Sequence, residues 1–221
     1  MKNSIVTLAV SLTCLISQFT NAQSLTGKKN FLYSHKFSVL AGLIQPALLK
    51  GGNVEFNYTT KRMMFEYSHG FSLDPPSSGD YKNQQLSLHL PYSTGFGIGY
   101  RINSHLDVRF EPKLHSWEVY YNGQKQNDEN KIDDYKTYTL GAGIYYRYFP
   151  FKNSSNKLLQ AITTSSSMRW WQNVGSSLNN NEFSYTNKFL NKTENLKVAN
   201  IGIGNTPLIF NVAIGYTLGG K

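Results

Sequence analysis

Residues 86–102, LSLHLPYSTGFGIGYRI, alternate between two kinds of side chain almost without interruption. Leu86, Leu88, Leu90, Tyr92, Phe96, Ile98, Tyr100 and Ile102 share one parity, broken at Thr94, while the other parity holds Ser87, His89, Pro91, Ser93, Gly95, Gly97, Gly99 and Arg101. Successive side chains of a strand point to opposite faces, so this segment has one apolar face and one small or polar face. It is about three times as long as an ordinary strand of about five or six residues. The next segment repeats the pattern with charges: Leu106, Val108, Phe110 and Leu114 against Asp107, Arg109, Glu111, Lys113 and His115. A soluble sandwich hides its apolar face and has no need of such tall strands. A transmembrane barrel turns that face outward to lipid and keeps a polar lumen inside. The second arrangement is the expectation for this chain.

The N-terminus suggests export. Lys2 forms a short positive region, residues 5–19 an apolar stretch, and Asn21-Ala22-Gln23 a small-residue cleavage site, so residues 1–22 are expected to be a signal peptide and 23–34 a short N-terminal segment. Cys14, the only cysteine, lies within that leader, after a Thr13 that matches a lipobox poorly. Its removal would leave a chain without disulfides, thiolate ligands or a cysteine nucleophile. About 200 residues remain, enough for one domain. A mean hydropathy of −0.40 without a second long apolar run excludes a helical membrane protein, but alternation dilutes hydropathy and leaves a barrel open. The 15 Tyr and 13 Phe suit aromatic girdles, and a β-rich soluble core equally.

Eight strands follow from the alternation. The first is 36–44, with Phe37, Val39, Ala41 and Leu43 on one face. The second is 54–58, and the third contains Met63, Phe65, Tyr67 and Phe71 on one face. The fourth and fifth are the segments above, joined at Asn103-Ser104. The sixth carries Tyr138, Leu140, Ala142, Ile144, Tyr146 and Tyr148 outward, with Gly141, Gly143, Tyr145 and Arg147 opposite. The seventh, 157–174, is diluted by Thr and Ser. The last has two registers, 199–203 and 208–218, with a β-bulge expected around Pro207. Segments 122–134 and 175–195 read as polar loops. Short connections (60–61, 103–104, 150–156) alternate with longer ones (74–81, 122–134, 175–195), the asymmetry of periplasmic turns and outer loops. The fold class is therefore all-β, an up-and-down antiparallel transmembrane β-barrel of eight strands over residues 35–221. A soluble lipocalin-like barrel is the structural alternative.

The run Gly141-Ala142-Gly143-Ile144-Tyr145-Tyr146-Arg147-Tyr148-Phe149 and the closing Val212-Ala213-Ile214-Gly215-Tyr216-Thr217-Leu218 resemble strands of small outer-membrane β-barrel proteins of Gram-negative bacteria, Bacteroidetes-type members in particular. Such barrels commonly finish on an aromatic residue, which here points to Tyr216 as the signal read by the barrel-assembly machinery. The resemblance implies location in the cell outer membrane, among outer-membrane lipid and lipopolysaccharide. It names no activity, because the family spans adhesins, small porins, structural barrels and lipid-modifying enzymes.

The candidate site is the set of charges expected to face the lumen: Glu55, Glu66, His89, Arg101, Asp107, Arg109, Glu111, Lys113 and Arg147, with Arg169 a further candidate. Side chains fill the interior of an eight-stranded barrel, and ions there must pair or stay hydrated. Three readings remain open: a salt-bridged plug, a narrow gated pathway, and a ligand site at the mouth. An outer-leaflet lipid hydrolase would need a Ser-His-acid site such as Ser116, His69 and Glu118, which fall on strands separated by a third. No nucleotide loop or metal spacing occurs, so no cofactor and no metal are expected. The formal charge of +9, or +8 without Lys2, is spread too thinly to dock nucleic acid and suits lipid phosphates. The leading function is a structural or surface-binding outer-membrane barrel.

Overall fold

The computed structural model describes residues 35–219, so the expected leader lies outside the described residues. Eight strands close into an antiparallel up-and-down barrel: β1 (Lys36–Gly42), β2 (Gly52–Thr59), β3 (Met63–Leu73), β4 (Leu86–Arg101), β5 (Leu106–Tyr121), β6 (Asp133–Tyr148), β7 (Ile162–Ser176) and, after a separate hairpin of β8 (Glu182–Asn187) and β9 (Lys192–Lys197), β10 (Leu208–Leu218). Each barrel strand pairs with its neighbours, and β1 closes the ring against β10. Among the described residues, no helix is long and apolar enough to cross a membrane. That observation does not bear on strands.

The ladder register fixes the barrel's shape. Starting from Phe37, partners run through Tyr58, Phe65, Ile98, Phe110, Ala142 and Trp170 to Leu208. Phe37 itself pairs with Leu218, ten positions further along β10, so one circuit climbs by ten residues. With ~3.3 Å per residue and ~4.8 Å between strands, a shear of ten over eight strands tilts them ~40° and gives a backbone radius of ~8 Å. Such a cylinder has room for interlocked side chains.

Alternation sorts those side chains by chemistry. Outward positions carry Phe37, Val39, Phe56, Tyr58, Phe65, Tyr67, Phe96, Ile98, Tyr100, Val108, Phe110, Tyr138, Leu140, Ile144, Met168, Trp170, Ile214 and Tyr216, all exposed. Inward positions carry Glu55, Glu66, Arg101, Asp107, Arg109, Glu111, Lys113, Arg147 and Arg169, all buried. The glycines of β4 and β6 make room for them. A Cβ at Gly99 would stand 2.8 Å from the Arg109 side chain, and one at Gly141 would overlap the Trp171 ring.

Four expectations require correction. The ladder between β4 and β5 slips between His89 and Ser93, so one residue too many is spent around Pro91-Tyr92 and the parity of β4 inverts there. Leu86, Leu88 and Leu90, expected outside, are therefore buried inside. His89, expected in the lumen, stands on the outer face and bonds Asp74 at 2.7 Å. In β5, by contrast, the inward parity runs unbroken past His115 through Trp117, Val119 and Tyr121, and only the chemistry changes. The loop expected at 175–195 contains the β8–β9 hairpin, and residues 199–207 are an irregular connection rather than a bulged strand. Residues 157–160 form one helical turn, capped by the Asn156 side chain, so β7 begins at Ile162.

Candidate functional site

The inward positions of β5 give the interior's order along the barrel axis: Asp107, Arg109, Glu111, Lys113, His115, Trp117, Val119, Tyr121. Ions occupy the end with short turns, an aromatic and aliphatic layer occupies the end with long loops, and His115 lies between them.

Arg109 is the hub of the ionic half. Its Nε donates to Asp107 Oδ1 at 2.6 Å, one Nη to Asn57 Oδ1 at 3.0 Å, and the same nitrogen to Glu66. The guanidinium lies 3.5 Å from the centre of the Tyr145 ring. Lys113 bridges Glu66 at 3.4 Å and Glu111 at 3.9 Å, donates to Ser68, and sits 4.4 Å from the Trp171 ring centre. Glu111, fully buried, accepts from the Tyr145 hydroxyl and from Trp171 Nε1 at 2.8 Å. Arg147 reaches Asp107 at 3.1 Å and Arg169 reaches Glu55 at 3.4 Å, with Asn211 as a second donor to Glu55. Arg101 donates to the Thr60 carbonyl at 2.7 Å, at the short-turn end. Eight of the nine expected lumen residues, all except His89, thus stand in the interior, and Arg169 joins them. Removing either partner of such a buried pair would strand the other charge, which costs about 3–5 kcal/mol.

The residues that complete this set were on the same parity as the charges: Asn57 with Glu55, Ser68 with Glu66, Tyr145 with Arg147, Trp171 with Arg169. Parity was the available signal for them. The particular pairings were not legible, because they cross the interior between strands distant in sequence.

Above the ions, His115 bonds Ser93 Oγ at 2.8 Å and Thr139 Oγ1 at 2.9 Å. A hydroxyl stands on both sides of the ring, with no carboxylate in the place of the group that orients a catalytic histidine, and the ring is fully buried. The pair fits an internal tie. The triad weighed from sequence is not assembled either. His69 lies on β3 parallel to the Tyr92 ring, with centres 6.5 Å apart. Ser116 pairs with Lys136, and Glu118 accepts from Tyr120 at 2.7 Å and faces Lys131 at 3.8 Å. Strand β4 separates the histidine from the other two.

The long-loop end is closed by the β8–β9 hairpin. Phe183, Tyr185, Leu196 and Ala199 pack with Tyr81, Leu86, Leu88, Leu90, Trp117, Val119, Tyr121 and Tyr135 into one buried cluster. Burying a side chain such as Phe183 or Leu196 contributes about 1.5–3 kcal/mol. The buried tyrosines also use their hydroxyls, as this residue type needs when enclosed. Tyr81 donates to the Lys197 carbonyl at 2.7 Å and meets the Tyr135 hydroxyl at 3.0 Å, while Tyr121 accepts from Lys188 N at 2.9 Å. Burial, followed by the neighbouring Tyr135 hydroxyl, pushes the Tyr81 phenol far above its ordinary value, so it remains a donor. At the hairpin tip Phe189 and Leu190 stay exposed between Lys188 and Lys192.

Outside the barrel wall, Asp74 ties the first two long loops to β4. Burial pushes its carboxyl up, but hydrogen bonds from His89 and Gln126, with the nearby His89 and Lys50 charges, hold it below the ordinary aspartate value. Among the described residues no group of three or more His, Asp or Glu is placed to hold a metal ion. No known protein family and no curated protein matches the chain.

Proposed function

We propose that the protein is a plugged outer-membrane β-barrel that anchors and presents its long-loop crown for surface binding. One observation carries this reading: the barrel is inverted relative to a soluble one, with Phe96, Ile98, Phe110, Ile144 and Trp170 exposed and Arg109, Glu66 and Glu111 buried. The height of the apolar belt supports it. On β6 the outward run from Tyr138 to Tyr148 spans ten residue steps, or ~25 Å along the axis at ~3.3 Å per residue and ~40° tilt. That equals the ~25 Å apolar band of outer-membrane barrels. A lipocalin-like binder would have to hide this belt and would expose the ion network.

The packed interior and the hairpin over the mouth argue against a solute pathway, so recognition falls to the crown. Its hairpin tip offers Phe189 and Leu190 flanked by Lys188 and Lys192. Lys136, just beyond Tyr138, is suitably placed for lipopolysaccharide phosphates. In this reading the barrel-assembly machinery inserts the chain and outer-membrane lipid surrounds it.

Cell fractionation with a heat-modifiability gel tests the proposal. The protein should partition with outer membranes and migrate faster when unboiled. Recovery in the soluble periplasmic fraction would overturn it.

A further inference from the structure

The protein's surplus positive charge stands at one end of the barrel. Among the described residues Lys and Arg exceed Asp and Glu by five. The interior ions, five basic and four acidic, nearly cancel, and the long-loop end holds eight basic against nine acidic residues. The whole surplus is therefore at the short-turn rim, which among the described residues carries Lys36, Lys61, Arg62, Lys152 and Lys157 and contains no Asp or Glu of its own. Lys61, Arg62, Lys152 and Lys157 are exposed.

These cations lie just past the outward apolar belt. Lys61 and Arg62 form the turn between Tyr58 and Phe65, and Lys152 and Lys157 lie in the connection between Tyr148 and Ile162. That connection, 149–161, is much longer than the other two at this end, 60–62 and 102–105. It also carries apolar side chains into solvent: Phe151 is 46 % exposed, Leu158 73 % and Leu159 40 %. Leu158 and Leu159 are not on a loose strand of chain, because Asn156 Oδ1 accepts from Leu158 N at 2.9 Å and fixes the turn. Apolar side chains beside lysines at the edge of a hydrocarbon-facing belt form an interfacial foot. The side chains enter the acyl boundary while the ammonium groups stay with the headgroups.

We infer that the short-turn rim binds the phosphates of anionic phospholipids in the leaflet it borders, with the 149–161 segment as its inserted foot. This rests on the membrane reading above. It adds an electrostatic contact with phospholipid at the end opposite the long loops, whose own charges nearly cancel.

Two measurements separate this inference from that reading. Folding into pure phosphatidylcholine vesicles, followed by the unboiled gel shift, reports on the barrel as a membrane protein. Native mass spectrometry of the folded barrel, from micelles holding equal amounts of phosphatidylglycerol and phosphatidylcholine with identical chains, reports on the rim. The expected result is about tenfold preferential retention of phosphatidylglycerol. The preference should vanish in Lys61→Gln/Arg62→Gln/Lys152→Gln/Lys157→Gln and persist in Lys125→Gln/Lys188→Gln/Lys192→Gln/Lys197→Gln. A charge-preserving variant, with Lys61, Lys152 and Lys157 each changed to Arg, should retain it, which keeps the test decisive if the neutral variant does not fold. Failure to fold in any vesicle removes the membrane reading. Folding without lipid preference, or equal loss of preference in both neutral variants, overturns this inference alone.

Discussion

Val108→Arg puts a charge on the part of the wall that the proposal assigns to hydrocarbon. Val108 is outward and 38 % exposed, beside Tyr100 on β4 and Ile144 on β6. Ile144 lies four residues from Tyr148 and six from Tyr138, which puts it ~10 Å from one edge of the belt and ~15 Å from the other. At that depth an arginine on a barrel's lipid face costs about 2–4 kcal/mol, against about 0–1 near an interface. Ser116 provides the internal comparison. It has the same parity on the same strand, ~20 Å further along the axis and paired with Lys136 beyond the belt. Val108→Arg should therefore cost about 2–3 kcal/mol more than Ser116→Arg, roughly a hundredfold in the folding equilibrium. Guanidinium titrations of folding into phosphatidylcholine vesicles, followed by tryptophan emission and gel shift, measure both. Equal costs at the two positions, or no cost at Val108, would refute the assignment of this face to lipid.

Three further outcomes follow from the interior and the crown. Arg109→Met should destabilise the barrel by about 3 kcal/mol in the same titration, the low end for a broken buried pair, because Glu66 keeps Lys113 and Asp107 keeps Arg147; an unchanged midpoint would mean that the network does not hold the barrel together. Planar-bilayer recordings should show no stable conductance, and reproducible openings whose ion selectivity changes with Arg109→Glu would replace the plug with a pathway. Asp74, held below its ordinary value, contributes fully above pH ~3.8 and loses that contribution as the pH falls through its lowered folded value. Amide exchange in 122–130, corrected for intrinsic rates, should thus show less protection at pH 2.5 than at pH 5, and Asp74→Asn should be poorly protected at both; protection unaffected by either change would show that Asp74 does not hold this loop.

Alternation made the eight barrel strands and the inward side of most charges legible in the sequence, because a two-residue period is a purely local property. Features that break locality were hidden. Counting parity back from Arg101 assumes an unbroken ladder, and the slip near Pro91-Tyr92 puts His89 outside and three leucines inside. The hairpin at 182–197 looked like a loop because its buried face is thin: Phe183 and Tyr185 on β8 and only Leu196 on β9, among Asn, Lys and Thr. The mouth cluster that receives it comes from four separate parts of the chain, so neither half signals the other. The charge surplus was visible as a total, whereas its concentration at one rim depends on which turns share an end.

The β2–β3 hairpin brings inward the carboxylates of Glu55 and Glu66 without a single inward cation. Their partners come much later, Arg109 43 residues after Glu66 and Arg169 114 residues after Glu55, and the closing seam joins Ser38 to Thr217 across 179. A chain that entered a bilayer hairpin by hairpin would carry bare carboxylates into hydrocarbon, at several kcal/mol per ion. Under the proposed membrane reading the sheet would instead curl around its charges while they are still wet, so that seam closure, counterion pairing and entry become a single event. Such long-range closure is slow, since chain entropy is lost before the ion pairs form. A polypeptide truncated before β10 would then arrest as an open, hydrated sheet at the membrane surface instead of settling as a smaller barrel.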